Sequence, residues 1–213
     1  MEFEKLLTIV GEEPVFKTGL LLAGAVNPAH VRRQLSRWVE AGRIYQLRRG
    51  LYALAPPFQK VKPHPFVVAN QLVRGSYVSL QSALAYYGLI PEYVPVMTSV
   101  TTSRPGRWNT PLGNYDFRHI KADLLFGYWS TDVGDKQQAI IASPEKALLD
   151  LIYLQAGADS PDYLRELRLQ NLEQLDAEVL AQYADRAAST KLKRAVDIIS
   201  TLIGIEDNEY ELI

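Results

Sequence analysis

Cysteine is absent from the 213 residues, which removes disulfides, thiol catalysis and cysteine-based zinc sites. His30, His64 and His119 belong to different local elements and form neither an HExxH nor an HxH arrangement, so no metal is expected. Glycine-rich phosphate loops are missing, and Ser79 and Ser143 read as helix caps without a nucleophile elbow. No apolar run approaches the roughly 20 residues needed to cross a bilayer. The opening MEFEKLLTIV starts with acids and lacks a small-residue cleavage site. A soluble cytoplasmic protein with no membrane contact, no cofactor and no catalytic centre is expected.

The most informative absence is local. From Lys17 to Lys62 the chain carries nine Lys/Arg residues and a single acid, Glu40, although its formal net charge is only -1. Divided at Lys62 and Gly157, the three segments hold ten basic against five acidic residues, seven against seven, and six against twelve. The first segment is therefore +5 and the last -6. A polyanion would be drawn to one end and repelled from the other.

What is present in the basic segment has an order. Phe3, Leu6, Leu7 and Val10 recur at helical spacing, with Gly11 as a stop. A second short helix is expected over Lys17 to Ala23, turning at Gly24. Asn27-Pro28 supplies a cap and a favoured first helical residue for a third helix, which buries Val31, Leu35, Trp38 and Val39. Two short alternating runs, 44–47 and 51–54, flank Arg48-Arg49-Gly50 and predict a β-hairpin. This order describes a winged helix-turn-helix over residues 1–58, in which the third helix enters the major groove and the hairpin touches the adjacent backbone.

That assignment places Arg32, Arg33 and Arg37, with His30 and Gln34, near base edges. Lys17, Asn27, Arg48 and Arg49 are better placed for phosphates. Two other readings stand beside it: a solvated arginine-rich face, and a protein-interaction module docking an acidic surface.

Four prolines between Pro56 and Pro65 predict a stiff connection. Residues 65–213 then read as a larger α+β unit. It is expected to hold a helix over 66–73, a helix after Ser79, and strands over 94–102 and 115–120. A further strand pair is expected around Gly134-Asp135, giving a small antiparallel sheet. The segment from Pro105 to Gly113 reads as turn material, and Trp108 as an exposed loop residue. Ser143-Pro144 starts a helix that buries Ala147, Leu148, Leu151, Ile152 and Leu154, and helices fill the C-terminal part. Glu145 and Asp150, five apart, share no clean helical face, and a first-turn carboxylate such as Glu145 is favoured by the helix dipole. The acids at Asp159, Asp162, Glu166, Glu173, Asp176, Glu178 and Asp185, then Glu206, Asp207, Glu209 and Glu211, form either a surface for a basic partner or ordinary solubility charge. Tyr77, Tyr86, Tyr87, Tyr93, Tyr115, Trp108 and Trp129 are core residues in one reading and RNA-stacking residues in the other.

Three ordered motifs give the chain a likeness. They are Leu47-Arg48-Arg49-Gly50-Leu51-Tyr52, the stretch from Ser76 through Tyr86-Tyr87-Gly88 to Glu92, and Ala142-Ser143-Pro144-Glu145-Lys146-Ala147-Leu148-Leu149-Asp150. Tyr163-Leu164 and Glu166-Leu167-Arg168 continue them. With these the chain resembles the AbiEi-type antitoxins of type IV toxin-antitoxin systems, which are bacterial transcriptional regulators. The resemblance implies an amino-terminal domain that binds double-stranded operator DNA with inverted repeats and represses its own operon. It also implies a carboxy-terminal domain that antagonises a nucleotidyltransferase-like toxin without a stable complex. The proline-rich connection departs from the pattern, so operator geometry does not carry over.

Overall fold

The structure is a computed structural model that describes residues 2–23 and 27–210, the side chains of 205–210 excepted. The turn expected at Gly24 lies outside the described residues, as do the side chains of Glu206, Asp207 and Glu209 and the whole of Glu211. The chain is an α+β protein with two sheets.

The first sheet belongs to the basic segment. Helix α1 (Phe3–Val10) leads to a short strand β1 (Phe16–Lys17) and a 3₁₀ turn over Thr18–Leu22, then to helix α2 (Pro28–Glu40) and strands β2 (Ile44–Arg48) and β3 (Leu51–Leu54). Strand order is β1-β3-β2, all antiparallel. Lys17, expected at a helix start, is therefore a strand residue, because Phe16 pairs with Tyr52 and draws the chain into the sheet. Asn27 caps α2, its Oδ1 accepting the Ala29 N–H at 2.9 Å, and Pro28 takes the first turn.

Strand β3 is buried along its whole length, and alternation explains why. Successive side chains point to opposite faces. Tyr52 and Leu54 join a small cluster with Phe3, Leu6, Val31, Leu35 and Trp38, whereas Leu51 and Ala53 join the core of the larger unit, with Val15 and Leu47. The first sheet is thus packed on both faces. Leu47 and Leu51 therefore join the two parts through apolar packing and not through the connector alone.

The connector is held at both ends. Phe58 packs edge-on against Phe3 at 4.9 Å. Further along, the buried Gln137 donates from Nε2 to the Lys62 carbonyl at 3.0 Å and accepts the His64 N–H at 2.9 Å.

Beyond it come α3 (Pro65–Leu72), β4 (Tyr77–Val78), α4 (Leu80–Tyr86), β5 (Val96–Thr101), β6 (Gly106–Thr110), β7 (Gly113–His119), β8 (Tyr128–Asp132) and β9 (Gln138–Ala142). Helices α5 (Pro144–Leu154), α6 (Pro161–Glu166), α7 (Ala177–Arg186) and α8 (Thr190–Tyr210) complete the chain. The sheet expected to be small and antiparallel is mixed and six-stranded, ordered β6-β7-β5-β4-β9-β8. Strands β5 and β7 run parallel, as do β4 and β9. Partners so far apart in the chain leave no local signal of their direction.

The expected turn over 106–110 is instead a strand. Pro105, Gly106 and Asn109 are turn formers, but Trp108 pairs with Tyr115 and sets its ring edge-on to Phe117 at 5.0 Å, so packing overrides local preference. Trp108 is half-buried, not an exposed loop residue.

Candidate nucleic-acid interface

Helix α2 divides its surface by simple geometry. Val31, Leu35 and Trp38 face the core. His30, Arg33, Gln34 and Arg37 stand at i, i+3, i+4 and i+7, which places them on one face. There they line a shallow depression of about 200 Å³. Arg37 donates to Gln34 Oε1 at 3.3 Å, fixing the fork beside the amide. Arg32 is not in this group. At 100° per residue it sits roughly 150° away on the opposite flank, where Ser36 Oγ donates to its carbonyl at 3.2 Å.

The other expected residues are also outward. Arg48 and Arg49 are exposed at the β2–β3 turn, where Gly50 adopts a φ of 81°. Asn27 is exposed, with its Oδ1 used in capping. Lys17 is half-buried and pairs with Leu51 at the turn end of the hairpin. Among the described residues no ion pair involves Arg32, Arg33, Arg37, Arg48 or Arg49. Arg43 lies over the Phe3 ring at 4.9 Å and acts in packing.

The acids of the third segment are used differently. Asp159 pairs with Arg194, Asp162 with Arg165 and Asp185 with Lys193. Asp176 accepts the N–H groups of Glu178 and Val179 as the cap of α7. Three of these acids are therefore matched by a cation within the chain.

The motifs around Ser76 and Ser143 meet in the interior. Tyr77 and Ser79 hydroxyls both donate to Asp150 Oδ2 at 2.8 Å, and Lys146 Nζ pairs with Asp150 Oδ1. All four residues are buried. Burial pushes the Asp150 carboxyl up and the Lys146 ammonium down, and their mutual attraction opposes both shifts. Ser79, expected to cap α4, makes no cap hydrogen bond because its hydroxyl is committed to Asp150. Glu145, on the same helix as Lys146 and Asp150, accepts the Asp176 N–H at 3.2 Å. Ser143 does cap α5, accepting the Lys146 N–H at 3.0 Å. Gly127, with a φ of 69°, passes so close that a Cβ there would meet Tyr183 at 2.9 Å.

This network has the residue types of a catalytic site, but all four residues are buried, and within the fold it ties α5 to β4. The i,i+4 spacing of Lys146 and Asp150 is its signal in the sequence. Among the described residues no cluster of three or more His, Asp or Glu could hold a metal, and no helix is long and apolar enough to cross a membrane. Tyr77 and Tyr115 are core residues, and Tyr87 is half-buried, donating to the Ala142 carbonyl at 2.9 Å. Tyr86, Tyr93 and Trp129 are exposed. No family model matches the chain, and no curated protein matches it.

Proposed function

We propose that this chain is a sequence-specific, DNA-binding transcriptional repressor in which residues 2–58 act as a winged helix-turn-helix. Helix α2 is the reading helix and the β2–β3 turn is the wing. The observation that carries the reading is the set of exposed arginines, Arg33 and Arg37 on one face of α2 and Arg48 and Arg49 on the turn, none with a carboxylate partner among the described residues. Guanidinium groups without a carboxylate, set beside a shallow depression, suit guanine edges and phosphates. His30 and Gln34 share the face and join the readout. Arg32, on the other flank, is assigned to the backbone.

The larger unit is proposed to be the antitoxin part, as the resemblance implies. It would antagonise a nucleotidyltransferase-like toxin in the cytoplasm without forming a stable complex, and no catalytic role is assigned to it. The buried Tyr77–Ser79–Lys146–Asp150 network supports this indirectly. It accounts for two of the resembling motifs as the frame of that unit, leaving its outer surface for antagonism.

Footprinting on the DNA upstream of its own gene tests the first part. Wild-type protein is expected to protect inverted repeats, and an Arg33→Ala/Arg37→Ala variant to lose that protection while keeping its fold. Equal protection by both proteins, or binding unaffected by salt, would point to a protein-docking module instead. Growth of cells expressing a toxin encoded beside this gene, with and without the full chain, tests the second.

A further inference from the structure

Three clefts meet the junction between the first sheet and the larger unit or the surface beyond it, and their charge differs. The largest, about 640 Å³, mixes Glu12, Glu13 and Asp135 with Lys60, Lys62 and Lys136, so its charges balance. A second, about 460 Å³, is lined largely by apolar side chains with Glu92, Asp116, Glu166 and Arg118 at its edge. The third, about 360 Å³, is lined by Lys17 and by Gln71, Arg74, Gly75 and Tyr128 of the larger unit, and no carboxylate lines it.

The third cleft continues the wing. Lys17 and Arg48 flank Leu51 from the two sides of β3, each registered with it, which sets them about 10 Å apart, two strand spacings. Arg74 approaches from the loop after α3. Burial, then Arg74, then Arg48 hold the Lys17 ammonium below its ordinary value. Lys17 and Arg74, from two parts of the molecule, therefore line one cleft with Arg48 beside it, and among the described residues no ion pair includes any of the three. The amide of Asn70, also in the wall, is committed to the Ser76 and Ile140 backbone, so the wall is firmly built. Like charges held together in the free protein are relieved by an anion that sits between them.

We propose that Lys17, Arg48 and Arg74 form a saddle for a backbone phosphate of the bound duplex, so that the larger unit grips the same DNA as the wing. The inference rests on the DNA-binding reading. It adds a contact outside the helix-and-wing module, on the flank of the segment read by α2. Arg74 is exposed and Gly75 beside it, with a φ of 76°, opens the approach.

The test uses the full chain and duplexes of the protected sequence, one with its flanks and one trimmed to the segment read by α2. Arg74→Ala is expected to weaken binding to the long duplex by roughly tenfold at 0.1 M salt, the worth of about one released counterion, and to lower the salt slope by about one. The loss should be the same for specific and unrelated sequences, and it should vanish on the trimmed duplex. Lys17→Ala should weaken DNA binding likewise while leaving the melting temperature of the free protein unchanged or raised, because it removes a repelled charge. If Arg74→Ala binds the long duplex as wild type does while Arg33→Ala/Arg37→Ala does not bind, the saddle is overturned and the reading helix stands. If wild type binds neither duplex at low salt, both fall together.

Discussion

Cationic side chains are handled in opposite ways by the two parts of the molecule. In the larger unit Lys146 is buried and answered by Asp150, which in turn receives Tyr77 and Ser79. In the first, Arg33, Arg37, Arg48 and Arg49 are exposed and answered by no carboxylate among the described residues. A charge that folding has to neutralise comes with its partner in the same chain. A charge left without one is available to a partner outside it, and it costs the fold little to keep it there because water solvates it.

The contrast can be broken most severely from within. Asp150→Ala leaves Lys146 buried without its counter-ion, and urea unfolding should show a loss of about 3–5 kcal/mol. A Lys146→Met/Asp150→Leu pair, which removes both charges, is expected to recover most of that loss. No recovery would mean that the Tyr77 and Ser79 hydrogen bonds, not the ion pair, dominate. Next in size, Arg33→Ala/Arg37→Ala should reduce operator affinity by roughly a hundredfold or more. Its unfolding free energy should stay within about 0.5 kcal/mol of wild type, as for exposed positions generally. A large stability loss there would erase the distinction between the two parts.

Smaller effects sharpen the comparison. Asp176→Ala removes the cap of α7 and should cost about 1 kcal/mol in the same unfolding assay, with DNA affinity unaltered. The smallest concerns His64, whose Nδ1 accepts the Phe66 N–H at the start of α3. Burial holds this imidazole below its ordinary value of 6.5. As pH falls through 6.5 the unfolded chain therefore takes up the proton before the folded one, and stability declines until the folded value is reached. His64→Asn retains a cap and should flatten the decline of stability as pH falls below 6.5. A slope unchanged in that variant would move its origin to another group.

Local chemistry makes some features legible in the sequence alone. Asn27-Pro28 and Ser143-Pro144 announce their helices because a cap and a first-turn proline act within a few residues. The alternation on either side of Arg48-Arg49-Gly50 likewise marks the hairpin. Distant pairing is not legible: β6 hides among turn-forming residues, and the parallel neighbours β5 and β7 are chosen by packing. Of the candidate interface, the basic helix and turn are visible as composition. The separation of Arg32 from Arg33 and Arg37 follows from helical geometry once the cap fixes the start. Arg74 carries no signal, since only folding brings it to Lys17.

The packing of β3 also bears on how fragments behave. Cutting the chain at the connector would bare Leu47 and Leu51 on one piece and the matching core on the other. Separate pieces are thus expected to associate or precipitate, and the full chain is the proper material for both functional tests.

Gln137 bolts the connector to the turn between β8 and β9, and Leu47 and Leu51, set in the larger core, leave the arginine-bearing head without a swivel. A tethered head would meet its target at many bearings and trail its cargo behind it. This one would arrive with the rest of the body at a set attitude, like a key cut on its own handle. On the DNA reading proposed above, the distance between neighbouring copies along a duplex would then be fixed by the bulk of the handle.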